Sequence, residues 1–213
     1  MPTIYLVRHG QASFGAADYD VLSAMGEQQS KMLGEELRRR DLRVDRVASG
    51  TLRRHVATAG ACLPVAGVDL PVVSDARWNE YNHLTLVQQA LPPDRIPSTE
   101  EFQRLLEKAL TSWLTEDGTS WPSFQNDACD AVADLAAELG KGGTGLVFTS
   151  GGVISAICAR LLGLPPHGYL ALNRTMVNAS LTKIVHGRSG MSLISLNEHG
   201  HFEGPNRELL SYR

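Results

Sequence analysis

The chain has 213 residues, of which 43% are hydrophobic and 20% charged, and its formal net charge is −3. That length sustains one well-buried core and leaves little for a second full domain. The mild acidity excludes a global basic field of the kind that binds nucleic acid or an anionic membrane.

Cys62, Cys129 and Cys158 are widely spaced and form no CxxC pair. They read as buried free thiols in a reducing compartment, not as disulfides or a zinc site. The segment MPTIYLVRHG lacks the charged flank and apolar core of a signal peptide. No run approaches the roughly 18 apolar residues of a spanning helix, so a cytoplasmic protein without membrane contact is expected.

In chain order, the first predicted strand covers residues 4–7 and runs directly into Arg8, His9 and Gly10. The segment LSAMGEQQSKMLGEELRRR predicts a helix capped by Ser23, with Met25, Met32, Leu33 and Leu37 on its apolar face. A strand over 46–48 leads through Ser49, Gly50 and Thr51 into a helix over 52–62, stopped by Pro64. The third strand covers 72–74 and is followed by DARWNEYNH, which carries Glu80. Residues 81–97, with LPPDRIP, read as a loop.

Ser98 and Glu101 have capping-box spacing, and Phe102, Leu105, Leu106, Ala109, Leu110 and Trp113 recur at helical period, predicting a helix over 98–115. At that spacing Trp113 reads as core. Another helix starts near Pro122 and ends at Gly140, with Phe124, Ala128, Val132, Leu135 and Leu139 facing inward. A strand over 145–149 turns at TSGG into a helix over 152–162, and strands over 181–185 and 192–196 follow. Strands alternating with helices predict an α/β fold whose sheet is covered on both faces. Residues 1–213 are expected to form a single domain with a helical cap or insert around 81–120.

In such sheets ligands collect at the carboxyl ends of the strands. Those ends carry Arg8 and His9, then Arg53 and Arg54 opening a helix, then Glu80, and then Ser150, Gly151 and Gly152 opening another. Helix starts favour anions, and arginine forks fit phosphate oxygens. Each element alone has a plainer reading: a structural strand-end histidine, a solvated helix turn, a loop carboxylate. Their convergence points to a phosphate site with a nucleophile and a proton donor. No Asp/His cluster has metal-ligand spacing, and no cofactor is called for.

LVRHG together with SGTLRRHVATA resembles the histidine phosphatase superfamily, the phosphoglycerate mutase-like family. RWNEY is similar to that family's Leu-x-Glu segment, and LVFTSGGVISAI to its late strand-turn-helix. The resemblance implies a three-layer α/β/α sandwich with a central, mostly parallel sheet. It also implies a metal-independent phosphomonoesterase acting on a small phosphorylated substrate. His9 would attack phosphorus and form a phosphohistidine. Arg8 and Arg54 would clamp the phosphoryl oxygens, Arg54 being chosen because Leu52, Arg54 and Thr58 fit Leu-x-Arg-x-x-x-Thr. Glu80 would protonate the leaving group and later activate water.

The pattern departs in two places. The family's second histidine is replaced by Ser150, which retains one hydroxyl donor beside the N–H groups of Gly151 and Gly152. The nucleophile loop ends in Phe14-Gly15, without the family's asparagine, which leaves Gln11 or Ser13 as candidate phosphate contacts. His83 is the first candidate to replace the missing histidine and His55 the second. Two alternatives follow: a weakened protein that binds a phosphorylated ligand, or a phosphoglycerate mutase. YNHLTLVQQALPP lacks the Tyr-Gly segment that mutases carry after the glutamate.

Overall fold

Apolar runs with no polar alternation require a sheet buried on both faces, and the central strands meet that demand. The structure, a computed structural model, describes residues 1–13, 20–89 and 99–212. Its elements in order are β1 (Thr3–Arg8), α1 (Ala24–Arg39), β2 (Arg46–Ser49), α2 (Arg53–Ala66), β3 (Val72–Ser74), α3 (His83–Gln89) and α4 (Thr99–Thr115). They continue as α5 (Trp121–Leu139), β4 (Thr144–Thr149), α6 (Gly151–Leu162), α7 (Pro166–Thr175), β5 (Leu181–Gly187) and β6 (Gly190–Glu198). No described helix is long and apolar enough to cross a membrane.

The six strands form one sheet in the order β3-β2-β4-β1-β5-β6. The first four are mutually parallel, β5 runs antiparallel to β1, and β6 runs antiparallel to β5. Ile4, Leu6, Ala48 and Val147 face a core shared with α5 and α6. Tyr5, Val7, Val47, Leu146 and Phe148 face the other, shared with α1 and α2. Consecutive residues of β1 thus enter opposite cores, as strand periodicity requires. These are the three layers that the resemblance implied.

Register places the site. Arg8 pairs with Thr149 and Ser49 with Phe148, so β1, β4 and β2 end nearly level. The residues that follow them (His9, Ser150 and Gly50) emerge on one rim, with Ser150 in the middle.

The Ser23 cap forms, its side chain accepting from the Gly26 N–H. Three expectations need correction. The second helix continues through Pro64 to Ala66, because Gly67, at φ 72, closes its end with its N–H on Leu63 and Pro64 carbonyls. The first half of the expected loop at 81–97 is α3, whose Leu86 and Val87 pack with Leu106, Leu110 and Trp113 of α4. Seven residues are too few for periodicity to register, and tertiary packing stabilises the helix. The third is α7, a helix outside the expectation, begun by Pro165-Pro166. Ser98, LPPDRIP, the Phe102 side chain and Phe14-Gly15 lie outside what is described.

Candidate active site

Arg8 closes β1 in a buried position, its Nη1 donating to the carbonyls of Met176 and, at 2.7 Å, Tyr212. Segments far apart in the chain thereby fix one guanidinium. The next residue, His9, is also buried. Its Nδ1 lies 2.7 Å from the Gly10 carbonyl. A carbonyl can only accept, so Nδ1 carries the proton and Nε2 keeps its lone pair. The Arg54 Nε donates to that lone pair at 3.2 Å. Burial, then the Arg54 charge, His55 and Arg8 hold His9 well below the ordinary histidine range. The imidazole is therefore neutral.

The His9 loop is held from several sides. Asn178 donates to the His9 carbonyl at 3.1 Å, and the Ala179 N–H reaches the Arg8 carbonyl at 3.0 Å. Ala179 makes that contact at φ 54, in the left-handed region that alanine seldom occupies. Gly10 donates its N–H to Thr58 Oγ1 at 3.0 Å. A Cβ on Gly10 would collide with the Gly26 carbonyl of α1. Close approach of α1 to the His9 loop accounts for this glycine.

Arg54 sits in the first turn of α2, whose N-cap Leu52 offers no side-chain hydrogen bond. Asp20 fills that role from a distant segment. It accepts from the Arg53 N–H at 2.8 Å and pairs with Arg54 Nη1 at 2.6 Å. A carboxylate at a helix start both satisfies orphan N–H groups and complements the dipole. Nothing in the sequence singled out Asp20, because its partners come from elements more than thirty positions away. Asp20→Ala is expected to weaken binding of inorganic phosphate about 10-fold and to lower Tm by about 2–4 °C, the effect of a lost cap and ion pair. Calorimetry with phosphate and a thermal melt check this, and unchanged values would show that Arg54 is positioned without Asp20.

Glu80 follows a 3-10 turn at Ala76–Trp78 and is half-buried. Its Oε2 accepts from the Gly152 N–H at 3.0 Å and its Oε1 from the Tyr81 N–H at 3.2 Å. A Cβ at Gly152 would overlap Oε1, so glycine is needed where α6 begins. Burial pushes the Glu80 carboxyl above the usual carboxylate range, outweighing the Gly152 bond and the charges of Arg54 and Arg8.

Ser150 is the N-cap of α6 and fully buried, yet it makes no side-chain cap bond. Its Oγ lies instead 2.6 Å from His55 Nε2. Gly151, next in line, faces the Arg8 guanidinium, where an added Cβ would sit 3.3 Å from Nε.

The remaining candidates divide. The Gln11 side-chain oxygen accepts from Ser23 at 2.8 Å, which ties it to the start of α1. Ser13 bonds Val21 through its backbone at 2.8 Å and borders residues that are not described. His83 opens α3, and burial together with the Arg54 charge lowers its pKa. His55 lies closer in: its ring centroid is 5.6 Å from that of His9. The histidine ranked second in the sequence is the one that touches Ser150. Two buried arginines, a neutral imidazole, a carboxyl of raised pKa and a helix start thus surround one rim of the sheet. The set suits an anion, a nucleophile and a proton donor.

The family model described as histidine phosphatase superfamily, branch 1, matches residues 4–199. A probable phosphoglycerate mutase GpmB of Yersinia enterocolitica is 24% identical over 216 residues, covering 96% of this chain and 97% of that protein. A phosphoserine phosphatase mutant from Entamoeba histolytica, solved with phosphoserine, superposes with TM-score 0.69 at 20% identity, over 94% of this chain and 99% of that one. Mycobacterial glucosyl-3-phosphoglycerate phosphatase gives TM-score 0.69 at 23% identity, over 92% and 99%. At these identities the two structures bear on the fold.

Proposed function

The chain belongs to the histidine phosphatase superfamily, and on that premise we propose that it hydrolyses small phosphomonoesters through a phosphohistidine at His9. One observation carries the reading. The Nδ1 bond to the Gly10 carbonyl fixes a neutral tautomer whose Nε2 lone pair lies against Arg54.

A substrate phosphoryl group draws the Arg54 Nε–H onto its oxygens and frees that lone pair. Nε2 then attacks phosphorus as the ester P–O bond breaks. Glu80, whose carboxyl burial shifts above the usual carboxylate range, gives its proton to the departing oxygen. Water next attacks the phosphohistidine, and Glu80, now a carboxylate, takes the proton from it. Inorganic phosphate leaves and His9 is regenerated. Arg8 and Arg54 offset the charge on the equatorial oxygens, the task that other phosphoryl-transfer sites give to a metal.

Within residues 81–120, α3 and α4 supply the helical cap that sets substrate choice. Tyr81, directly after Glu80, packs against Trp113 of α4 with ring centroids 5.1 Å apart, and receives a hydrogen bond from Asn173 at 3.3 Å. A cavity of about 630 Å³ opens beside Tyr81, lined also by Asn82, Leu86, Lys108, Trp113 and Ser120. The two phosphatases of similar fold bear names that specify small phosphorylated compounds.

The mutase names among the relatives favour a second reading. Against it, the segment after Glu80 lacks a Tyr-Gly pair. Exchange between 3- and 2-phosphoglycerate at enzymatic rates would establish the mutase.

The phosphatase is tested by mixing the protein with a phosphorus-labelled monoester and quenching within one turnover. Label is expected on protein, stable to alkali and lost in mild acid, as a phosphoramidate bond requires. Label with the opposite stability, or none during turnover, would sink the mechanism.

A further inference from the structure

Three observations isolate a pair of residues that the mechanism above leaves unused. His55 and Ser150 are both wholly buried and lie 2.6 Å apart. His55 Nδ1 has no hydrogen-bond partner. Gly50 leaves the space this ring occupies, since a Cβ there would overlap Nδ1.

The unpartnered Nδ1 decides the tautomer. An imidazole with its proton on Nδ1 would bury a donor without an acceptor. With the proton on Nε2, the unmet group is only an acceptor, and Nε2–H donates to Ser150 Oγ. The imidazole stays neutral, because burial and the Arg54 charge bring its pKa down to about 3. Since Ser150 Oγ accepts from His55, its own proton is free to turn toward another acceptor.

The surroundings say which acceptor. Ser150 follows Thr149, whose carbonyl receives the His9 N–H at 2.9 Å. It precedes Gly151, which faces Arg8, and Gly152, which holds Glu80. The rim between these groups is where a transferring phosphoryl group lies in the phosphatase reading, on which this inference rests.

We propose that Ser150 donates its hydroxyl proton to the transferring phosphoryl group and that His55 is the positioning residue that aims it. Together they supply the hydrogen bond that a histidine on the α6 turn would otherwise make. Here the imidazole stands on α2, and the Ser150 hydroxyl bridges the gap. No bond to either side chain is made or broken.

The test uses the full chain with para-nitrophenyl phosphate for turnover, vanadate for transition-state affinity and inorganic phosphate for ground-state affinity. Ser150→Ala and His55→Ala are each expected to lower kcat and vanadate affinity about 10- to 100-fold. Phosphate affinity should fall much less, a split that mere loss of folded protein does not produce. The double variant should be no worse than either single one, as for residues acting as a unit. His55→Gln, whose amide NH₂ can donate to Ser150, should keep kcat within about 5-fold of wild type.

Independent, multiplicative losses in the double variant would overturn the proposal, as would undiminished kcat and vanadate affinity in His55→Ala. If His55→Ala does not fold, Ser150→Ala and His55→Gln carry the same decision. A wild type without turnover would refute the phosphatase reading instead. The pair is then judged on vanadate alone, and equal affinity in wild type and Ser150→Ala refutes it.

Discussion

His9→Ala is expected to lower kcat/KM for para-nitrophenyl phosphate at least about 10⁴-fold, with no phosphoenzyme formed. The adjacent His55 is not free to replace it. His55 is 5.6 Å away by ring centroid, and its Nε2 is engaged with Ser150. Phosphate binding should survive the substitution, since Arg8 and Arg54 are held by Met176, Tyr212 and Asp20 and not by His9 alone. Losing the imidazole also removes a partner of the Arg54 Nε, which leaves more of that guanidinium for the anion. Residual turnover within tenfold of wild type, measured on protein with an unchanged melt, would end the phosphohistidine mechanism.

Glu80→Gln is expected to discriminate between leaving groups. For an alkyl phosphate, whose alkoxide needs a proton, kcat/KM should drop about 10²- to 10⁴-fold. For para-nitrophenyl phosphate, whose phenolate leaves unaided, the first step should change little. The pH profile gives the sign. In the proposed mechanism protonated Glu80 is the active form for ester cleavage, and burial raises its pKa. Alkyl phosphatase activity should therefore fall as pH rises through that raised value, and the falling limb should vanish in Glu80→Gln. His9 contributes no acid limb near its ordinary pKa, because burial and the arginines keep it neutral there. Equal losses of kcat/KM on both substrates, with an unaltered profile, would remove Glu80 as the acid of ester cleavage, since kcat/KM excludes the shared hydrolysis of the phosphoenzyme.

The parts of this site that were legible in the sequence share a physical property: each is local. IYLV running into Arg8-His9 is a buried strand meeting a cation and an imidazole, and β1 with its two-faced burial agrees. TSGG before an apolar helix reads as a strand-turn-helix, and β4 and α6 have that form. What escaped depends on partners far apart in the chain. Asp20 matters through α2, and α3 exists because α4 covers it. Pro64 is a local stop signal that the Gly67 cap and the packing of α2 on α1 override. The ranking of His83 above His55 rested on distance along the chain from Glu80. In space the strand order β2-β4-β1 brings the α2 start beside Ser150, and sequence separation carries no trace of that order. One signal was present. Gly50, just ahead of the two arginines, has no helix-capping side chain, and its missing Cβ is the room that His55 fills.

The grip of the Tyr212 carbonyl on Arg8 joins residues 204 positions apart. Gln29 and Asn178 extend that grip by bonding Leu209 and Ser211. On a ribosome, Arg8 and His9 are made long before the segment that orients them. A nascent chain therefore displays His9 without a finished cradle around it. Release of a shortened product would leave the Arg8 guanidinium without its Tyr212 brace.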